Sequence, residues 1–265
     1  MPHAYRNRLI TTCACTIAVS AALVLPRPGT ASAQAAKTVV AVVAHSDDEV
    51  AVAPILARYA RAGAGVYLIV ATDGAQGGAH TAIARGPELA RVRAEEARCA
   101  AAALGIQPPI LLGFPDAKLG DYLADPSILY RLTQRVAAEL QRLRADALIS
   151  WGPDGGTGHP DHRLVSNIVT QLSRAGAPEI PERLFHMYLP VEAFRALNPQ
   201  RADPPYVLPQ SKHFTVRIDF APQDLEAARR AMMCHRTQYT AEIVQRVFPA
   251  QERAWNGAVT TGTDE

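Results

Sequence analysis

Short apolar runs alternate with helix-like segments along most of the chain, and this alternation predicts the fold. Thr38–Ala44 (TVVAVVA) and Val66–Thr72 (VYLIVAT) are continuous, β-branched apolar runs, which are typical of strands covered on both faces. Further strands are predicted at Pro109–Gly113, Ala145–Trp151, Leu184–Leu189 and His213–Phe220, the last alternating as an edge or mixed strand does. This order predicts an α/β, Rossmann-like fold, with one mostly parallel sheet and helices on both faces in a single domain.

Helical patterns fill the intervals between these strands. They are predicted at Glu49–Ala62, Gly86–Leu104, Ser127–Leu143, His162–Arg174 and Pro222–Tyr239. Gly105 follows the second of these helices as its C-terminal stop. The last dozen or so residues are polar, and we expect them to be frayed.

The first 33 residues have the pattern of a secretory signal peptide. Arg6 and Arg8 precede a mostly apolar stretch, and Ala31-Ser32-Ala33 provides a small-residue cleavage site. An uncleaved membrane anchor is the alternative, but several hydroxyl residues dilute the apolar stretch. We therefore expect a leader over residues 1–33, a folded domain over residues 34–265, and a secreted or periplasmic protein.

Charge and cysteine content narrow the class of protein further. The chain has 265 residues, with 27 basic and 25 acidic side chains, and the leader contains three of the arginines and no acid. The remaining 232 residues are therefore almost neutral, which gives no indication of nucleic-acid binding, and they suffice for one domain with a sizeable core. Outside the leader lie two cysteines, Cys99 and Cys234. They form a disulfide in an oxidising compartment, or Cys99 is a small buried residue of its helix; both interpretations stay open.

Two acidic–histidine clusters carry the candidate chemistry. His45-Ser46-Asp47-Asp48-Glu49 follows the first predicted strand, and His159-Pro160-Asp161-His162 follows the fourth. The carboxyl ends of parallel strands meet at one edge of a sheet, where ligands bind in such folds. The clusters therefore supply nitrogen and oxygen ligands together with a spare carboxylate and imidazole, as a hydrolytic metal site requires.

Each cluster also has a purely structural explanation. Ser46-x-x-Glu49 matches a helix capping box, and Asp161 could cap the next helix. Capping does not require His45, and two such clusters at the same sheet edge favour a functional site.

Together the clusters resemble the signature of the PIG-L / LmbE-like family of metal-dependent N-acetylglucosaminyl de-N-acetylases. Weaker matches extend the resemblance along the chain, at Asp73-Gly74, Arg93-x-x-Glu96, Gly113-Phe114-Pro115-Asp116 and His235-x-x-Gln238. The resemblance implies the LmbE-like fold and makes residues 34–265 a de-N-acetylase catalytic domain. Ser46 stands where the family commonly has proline, and Thr157 stands where some members have tyrosine.

The resemblance also implies a role for each residue of the clusters. His45, Asp48 and His162 would bind the metal, Asp47 would be the general base, and His159 would face the developing oxyanion and the leaving amine. Asp161 would orient His159 and raise the pKa of its imidazole. The cofactor would be Zn²⁺, although iron, manganese or cobalt could occupy the same ligands.

Two further residues are candidates for substrate binding. Arg93 could hold a sugar hydroxyl, with a solvated charge on an arginine-rich helix as the alternative. Asp73 could accept a hydrogen bond from a hydroxyl, or it could form the turn before Gly74. His235 and Gln238 could instead belong to the buried face of their helix.

The function implied is hydrolysis of the N-acetyl group of an N-acetylhexosamine-containing substrate outside the cytoplasm. The expected partner is an N-acetylated sugar or glycoconjugate, with no nucleic acid and no stable membrane insertion after signal cleavage. One rival is a metal-dependent hydrolase of another ester or amide bond. Another is a secreted sugar-binding protein with an inactive centre, against which the complete pair Asp47 and His159 argues.

Overall fold

The structure, a computed structural model, describes residues 38–188, 191, 194–195, 200, 207–210, 212, 214–255 and 258–263. The predicted leader, the end of the fifth predicted strand and the start of the sixth lie outside these residues. Among the helices that are described, none is both long enough and apolar enough to cross a bilayer.

Seven strands of the described chain form one sheet. They are β1 (Thr38–Val43), β2 (Gly65–Thr72), β3 (Ile110–Phe114), β4 (Ala147–Trp151), β5 (Leu184–Met187), β6 (Val216–Asp219) and β7 (Ala258–Thr263). Their order in the sheet is β3-β2-β1-β4-β5-β7-β6. Strands β1 to β5 pair in parallel, whereas β7 pairs antiparallel to both β5 and β6. The predicted mostly parallel sheet is confirmed, and β6 is the edge strand that its alternating pattern indicated.

Helices cover both faces of this sheet. The described α-helices of more than one turn are α1 (Ala53–Arg61), α2 (Pro87–Leu104), α3 (Ser127–Leu143), α4 (Pro160–Arg174), α5 (Pro222–Cys234) and α6 (Ala241–Trp255). Val39, Ala41 and Val43 of β1 pack on one face with α1, α2, α5 and α6. Val40 and Val42 pack on the other face with α3 and α4. Burial on both faces explains why β1 is apolar throughout instead of alternating.

Three parts of the chain differ from the predicted elements. The first predicted helix is divided into a 3₁₀ turn at Asp48–Ala51 and α1, which has Pro54 in its first turn. Helix α5 ends at Cys234 instead of Tyr239, and α6 follows it. Residues 258–263 were expected to be frayed, and this was wrong, because they pair as β7 with strands on both sides.

A disulfide joins Cys99 of α2 to Cys234 at the end of α5, with 5.7 Å between their Cα atoms. Cys99 is exposed, so the alternative of a small buried residue was wrong. The bond links two helices on the same face of the sheet.

Candidate metal centre

The topology of the sheet brings the two clusters together. Strands β1 and β4 are neighbours, and His45 to Asp48 follow β1, whereas His159 and His162 stand at the start of α4, just after β4. Both loops therefore lie at the carboxyl edge of the sheet, as the sequence predicted.

Three ligand atoms from the clusters converge. His45 Nδ1 lies 2.9 Å from His162 Nε2, which lies 3.1 Å from Asp48 Oδ1. Asp48 Oδ1 and His45 Nδ1 are 3.8 Å apart. Ligands placed about 2.0–2.2 Å from a tetrahedral ion are roughly 3.3–3.6 Å from one another. The three atoms thus fit one divalent cation.

Bonds on the far side of each side chain fix these ligand atoms in place. Asp48 Oδ2 accepts hydrogen bonds from the backbone N–H groups of Ala44 and His45 and from Trp151 Nε1, which leaves Oδ1 available. His162 Nδ1 lies 2.8 Å from the Gly155 carbonyl oxygen, and the ring stacks on Trp151. Metal-binding histidines commonly donate their second N–H in this way, which sets the tautomer.

Carboxylates surround the third ligand, His45. Its Nε2 lies 3.2 Å from Asp116 Oδ1 and 3.4 Å from Asp161 Oδ2. Burial disfavours the charged imidazole, but Asp116, Asp161 and Asp48 outweigh it and raise the pKa of His45 to about 12. The negative charge of these three carboxylates favours a cation at this position. Ligand atoms of His45, His159 and His162 also lie within 4.8 Å of one another, as do those of His45, Asp116 and Asp161.

Arg93 binds the predicted base and is not a solvated charge. Its side chain is only 2% exposed, and its Nη2 lies 2.7 Å from Asp47 Oδ1. Its Nε donates to Ser46 Oγ and its Nη1 to the Gly77 carbonyl oxygen. A Cβ atom at Gly77 would lie 1.6 Å from Nη1, so this approach requires glycine. Arg93 thus contacts Asp47 and also lines the cavity, so its contact with a sugar hydroxyl stays a prediction.

The contact between Asp161 and His159 also differs from expectation. The backbone N–H of Asp161 donates to His159 Nδ1, whereas the Asp161 carboxylate accepts from the backbone N–H groups of Ala117 and Leu119. Burial and the nearby His45 lower the pKa of His159, although a raised value was expected. Because Nδ1 accepts a hydrogen bond, a neutral His159 has its proton on Nε2.

The expected capping box was wrong, whereas Asp73 forms a turn and its hydrogen bond to a substrate hydroxyl stays a prediction. Ser46 and Glu49 do not form a capping box: the 3₁₀ turn has no side-chain cap, and the fully buried Glu49 contacts His235 instead. Asp73 accepts hydrogen bonds from the backbone N–H groups of Ala75 and Asp116, which is the turn-forming alternative. It is not among the residues that line the cavity at the clusters.

Two buried carboxylates fasten the turn after α5 to the site. His235 Nε2 lies 2.6 Å from Glu49 Oε1, while the backbone N–H and the hydroxyl of Thr237 donate to Glu96. Gln238 follows this turn and lines the cavity. Glu96, His235 and Gln238 were motif residues in the sequence. Their partners, which are Thr237, Glu49 and Ala79, were not predicted.

A cavity of about 490 Å³ opens over the cluster. It is lined by His45, Asp47, Asp48, Val50, Ala51, Gln76, Gly77, Arg93, Asp116, Ala117, Trp151, Thr157, His159, His162, Met232, Gln238, Tyr239, Val247 and Gln251. No role was predicted for Asp116, although it stands after β3 at the same sheet edge. The Thr157 hydroxyl lies 3.2 Å from His162 Nδ1.

Sequence comparison gives deacetylases among the relatives. One relative, 27% identical over 78% of this chain and 81% of its own length, is a 1D-myo-inositol 2-acetamido-2-deoxy-alpha-D-glucopyranoside deacetylase of Catenulispora acidiphila. A deacetylase of the same name from Nakamurella multipartita is 34% identical over 54% of this chain and 57% of its own length.

Solved structures share the fold at low sequence identity. N,N'-diacetylchitobiose deacetylase from Pyrococcus horikoshii is 18% identical, with a TM-score of 0.60 over 86% of this chain and 82% of its own. The A40926 pseudoaglycone deacetylase is 16% identical, with a TM-score of 0.64 over 85% of this chain and 96% of its own. A 4-carboxy-2-hydroxymuconate hydratase from Pseudomonas putida also matches, with 16% identity and a TM-score of 0.58 over 85% and 94%.

The PIG-L family model, described as GlcNAc-PI de-N-acetylase, matches residues 40–173, which are half of the chain and include both clusters. The chain therefore belongs to the PIG-L family of de-N-acetylases.

Proposed function

We propose that this protein is a secreted, zinc-dependent deacetylase that hydrolyses the N-acetyl group of an N-acetylhexosamine-containing substrate. The observation that carries the proposal is the convergence of His45, Asp48 and His162 beside Asp47 and His159 in one cavity. Membership of a de-N-acetylase family and relatives named as sugar deacetylases support the choice of bond.

His45, Asp48 and His162 are the proposed metal ligands. A bound zinc ion would polarise the acetamide carbonyl and lower the pKa of its water to about 7. Three protein ligands leave a coordination position open, which is typical of catalytic sites.

Asp47 is the proposed general base, and Arg93 is the residue that positions it. The guanidinium fixes one carboxylate oxygen at 2.7 Å and leaves the other to accept a proton from the attacking water. The water oxygen bonds to the acetamide carbon, the C–N bond then breaks, and Asp47 returns that proton to the leaving amine, so that acetate and a free amino sugar are the products. Asp47 takes this donor role because His159 Nδ1 accepts from the backbone N–H of Asp161, and an imidazolium could not accept that hydrogen bond.

His159 is the proposed hydrogen-bond donor to the developing oxyanion. The backbone N–H of Asp161 fixes its Nδ1, and its ring centroid lies 4.8 Å from that of His45. The N–H at Nε2 is then available to the substrate, and such a fixed donor stabilises the tetrahedral oxygen. Asp161 contributes through its backbone N–H and by fixing the loop at Ala117 and Leu119.

Export of the protein is proposed from the leader-like first 33 residues. The Cys99–Cys234 disulfide supports this proposal, because disulfides persist mainly in oxidising compartments. The substrate would then be a cell-surface or extracellular glycan, or a secreted glycoside.

The test is acetate release from a panel of N-acetylated sugars and acyl esters, before and after chelation and after zinc restoration. We expect acetate from N-acetylglucosamine derivatives, loss of turnover on chelation, and recovery with zinc. Cleavage of esters alone would instead indicate a hydrolase of another bond. Sugar binding without acetate release or metal dependence would indicate an inactive binding protein.

A further inference from the structure

We propose that the cavity contains a subsite for an uncharged, partly apolar substituent carried by the N-acetylated sugar, and that this subsite discriminates against phosphate. The inference rests on the proposed function, because it concerns the part of the substrate that does not react. The aglycone is the non-sugar substituent of a glycoside. We use the name aglycone wall for five of the residues that line the cavity, namely Val50, Met232, Val247, Gln238 and Gln251.

The aglycone wall presents two amide groups and the half-buried side chain of Val247, and the buried side chains of Val50 and Met232 complete its lining. Val50 belongs to the 3₁₀ turn, Met232 to α5, and Val247 and Gln251 to α6. Val247 and Gln251 are four residues apart, so they lie on the same face of α6. A ligand at this wall would therefore meet carbon and uncharged polar atoms side by side.

The two amides are oriented by bonds to the backbone. Gln251 Nε2 donates to the Val50 carbonyl oxygen at 3.2 Å, which leaves Oε1 to accept a hydrogen bond from a ligand. Gln238 Oε1 accepts from the Ala79 N–H at 3.2 Å, which leaves Nε2 as a donor. One acceptor and one donor beside aliphatic carbons suit a hydroxylated or alkyl substituent.

The charges of the described cavity lining disfavour a phosphate, because its one arginine is already paired with a carboxylate. Among the described lining residues, the acids are Asp47, Asp48 and Asp116, and the basic side chain other than histidine is Arg93. Three of the five N–H groups of Arg93 donate to Asp47, Ser46 and Gly77. With a divalent cation bound, the three acids balance the cation and Arg93, so the lining has no net positive charge to attract an anion. Burying an unpaired anion is costly, whereas burying an alkyl group is favourable.

The test compares three derivatives of N-acetylglucosamine, namely the methyl glycoside, the hexyl glycoside and the 1-phosphate, by kcat/KM for acetate release. We expect the hexyl glycoside to exceed the methyl glycoside by about tenfold, as apolar burial implies. We expect the 1-phosphate to fall below the methyl glycoside by about tenfold or more, as unpaired burial of a charge implies.

Variants on α6 test whether the aglycone wall causes these differences in kcat/KM. Val247→Asn should lower the hexyl-to-methyl ratio of kcat/KM toward one. Gln251→Lys should raise the phosphate-to-methyl ratio, whereas Gln251→Glu should lower it. Gln245→Lys places the same charge at an exposed position of α6 outside the cavity lining and should leave both ratios unchanged. If Val247→Asn does not fold, the two Gln251 variants still test the discrimination against phosphate.

The outcomes separate the two proposals. Acetate release from the methyl glycoside, with equal or faster release from the 1-phosphate, would overturn the subsite and keep the deacetylase. Equal responses of the Gln251→Lys and Gln245→Lys variants would also overturn it. No acetate from any of the three sugars would overturn the proposed function, and the subsite with it.

Discussion

Asp47 and His162 line the same cavity, but they contact different partners. His162 Nε2 faces Asp48 and His45, whereas Asp47 is bound by Arg93. We expect the Asp47→Asn variant to retain the metal. Its kcat should fall by about 10²–10⁴-fold, which is the usual contribution of a general base. His162→Ala should lose the metal together with activity. Metal content per chain and acetate release check both variants, and equal metal loss in the two would contradict the division of roles.

Arg93 is a second residue whose role can be tested by substitution. Arg93→Lys keeps the charge but not the forked contact with Asp47, Ser46 and Gly77, and such exchanges are not conservative at buried sites. We expect kcat to fall about 10–100-fold with KM changed little, because misplacement of a catalytic group mainly lowers turnover. Arg91→Lys, on the exposed face of α2, is the matched control. A rise in KM with kcat preserved would instead assign Arg93 to sugar binding.

Residue identities at the centre could be predicted from the sequence, but several of their contacts could not. The two motifs predicted which side chains meet, because spacing and residue type are visible in one dimension. The partner of Arg93 depends on how α2 packs against the loop after β1, and the partner of Glu49 lies 186 residues away. Such pairings are set by tertiary packing, which no local pattern encodes.

Helices α1 and α5 are joined by a forked ion pair. Arg61 Nε and Nη2 donate to the two oxygens of Asp224, and the Ala221 backbone N–H donates to the same carboxylate. Burial works against the charged form, but Arg61 outweighs it and lowers the pKa of Asp224 below its ordinary 3.8. A lowered pKa contributes stability above the ordinary value, and this stability is lost as pH falls through the folded value.

We therefore expect Asp224→Asn to lower the free energy of unfolding at pH 7 by about 1–2 kcal/mol, the scale of hydrogen bonds to a charged group. The difference from the parent protein should shrink as pH falls below about 4, where the carboxylate of the unfolded chain takes up a proton, and should vanish below the lowered pKa of the folded state. Urea unfolding at several pH values measures it, with Asp219→Asn on an exposed edge strand as the control. A difference that stays constant between pH 7 and pH 3 would contradict this role.

The disulfide joins α2, which contains Arg93 and Glu96, to the turn before Gln238. We expect the Cys99→Ser, Cys234→Ser double variant to lose about 2–4 kcal/mol of stability, as is typical of a native disulfide. KM for the sugar should rise while metal content stays constant, because the loosened turn bears on the cavity wall and not on the ligands. Thermal unfolding, steady-state kinetics and metal analysis test this. An unchanged KM would show that the disulfide does not influence substrate binding.

Element types were predicted well where the apolar pattern was strong. Ser127–Leu143 matches α3 residue for residue, and each predicted strand overlaps an observed one. The chain end was missed because β7 is stabilised by pairing with β5 and β6 and not by a strong apolar pattern of its own. Helix α5 was predicted too long because the amphipathic pattern continues through the turn at His235.

For the whole molecule, the order of strands explains why distant motifs form one centre. Alternating strands and helices predicted a parallel sheet, and parallel strands place the loops that follow them at one edge. The adjacency of β1 and β4, however, and the approach of α5 and α6 over the site, are properties of the assembled sheet. The shared fold of deacetylases and a hydratase shows that the fold alone does not determine the reaction.

Titration of metal-free protein with Zn²⁺, with acetate release and bound metal followed together, measures whether one bound cation is needed for the reaction. We predict that activity rises linearly and reaches its plateau at one zinc per chain, and that His45→Ala and His162→Ala each abolish this binding. Full acetate release by the metal-free protein would contradict the proposed metal centre. So would zinc binding that survives loss of both imidazoles.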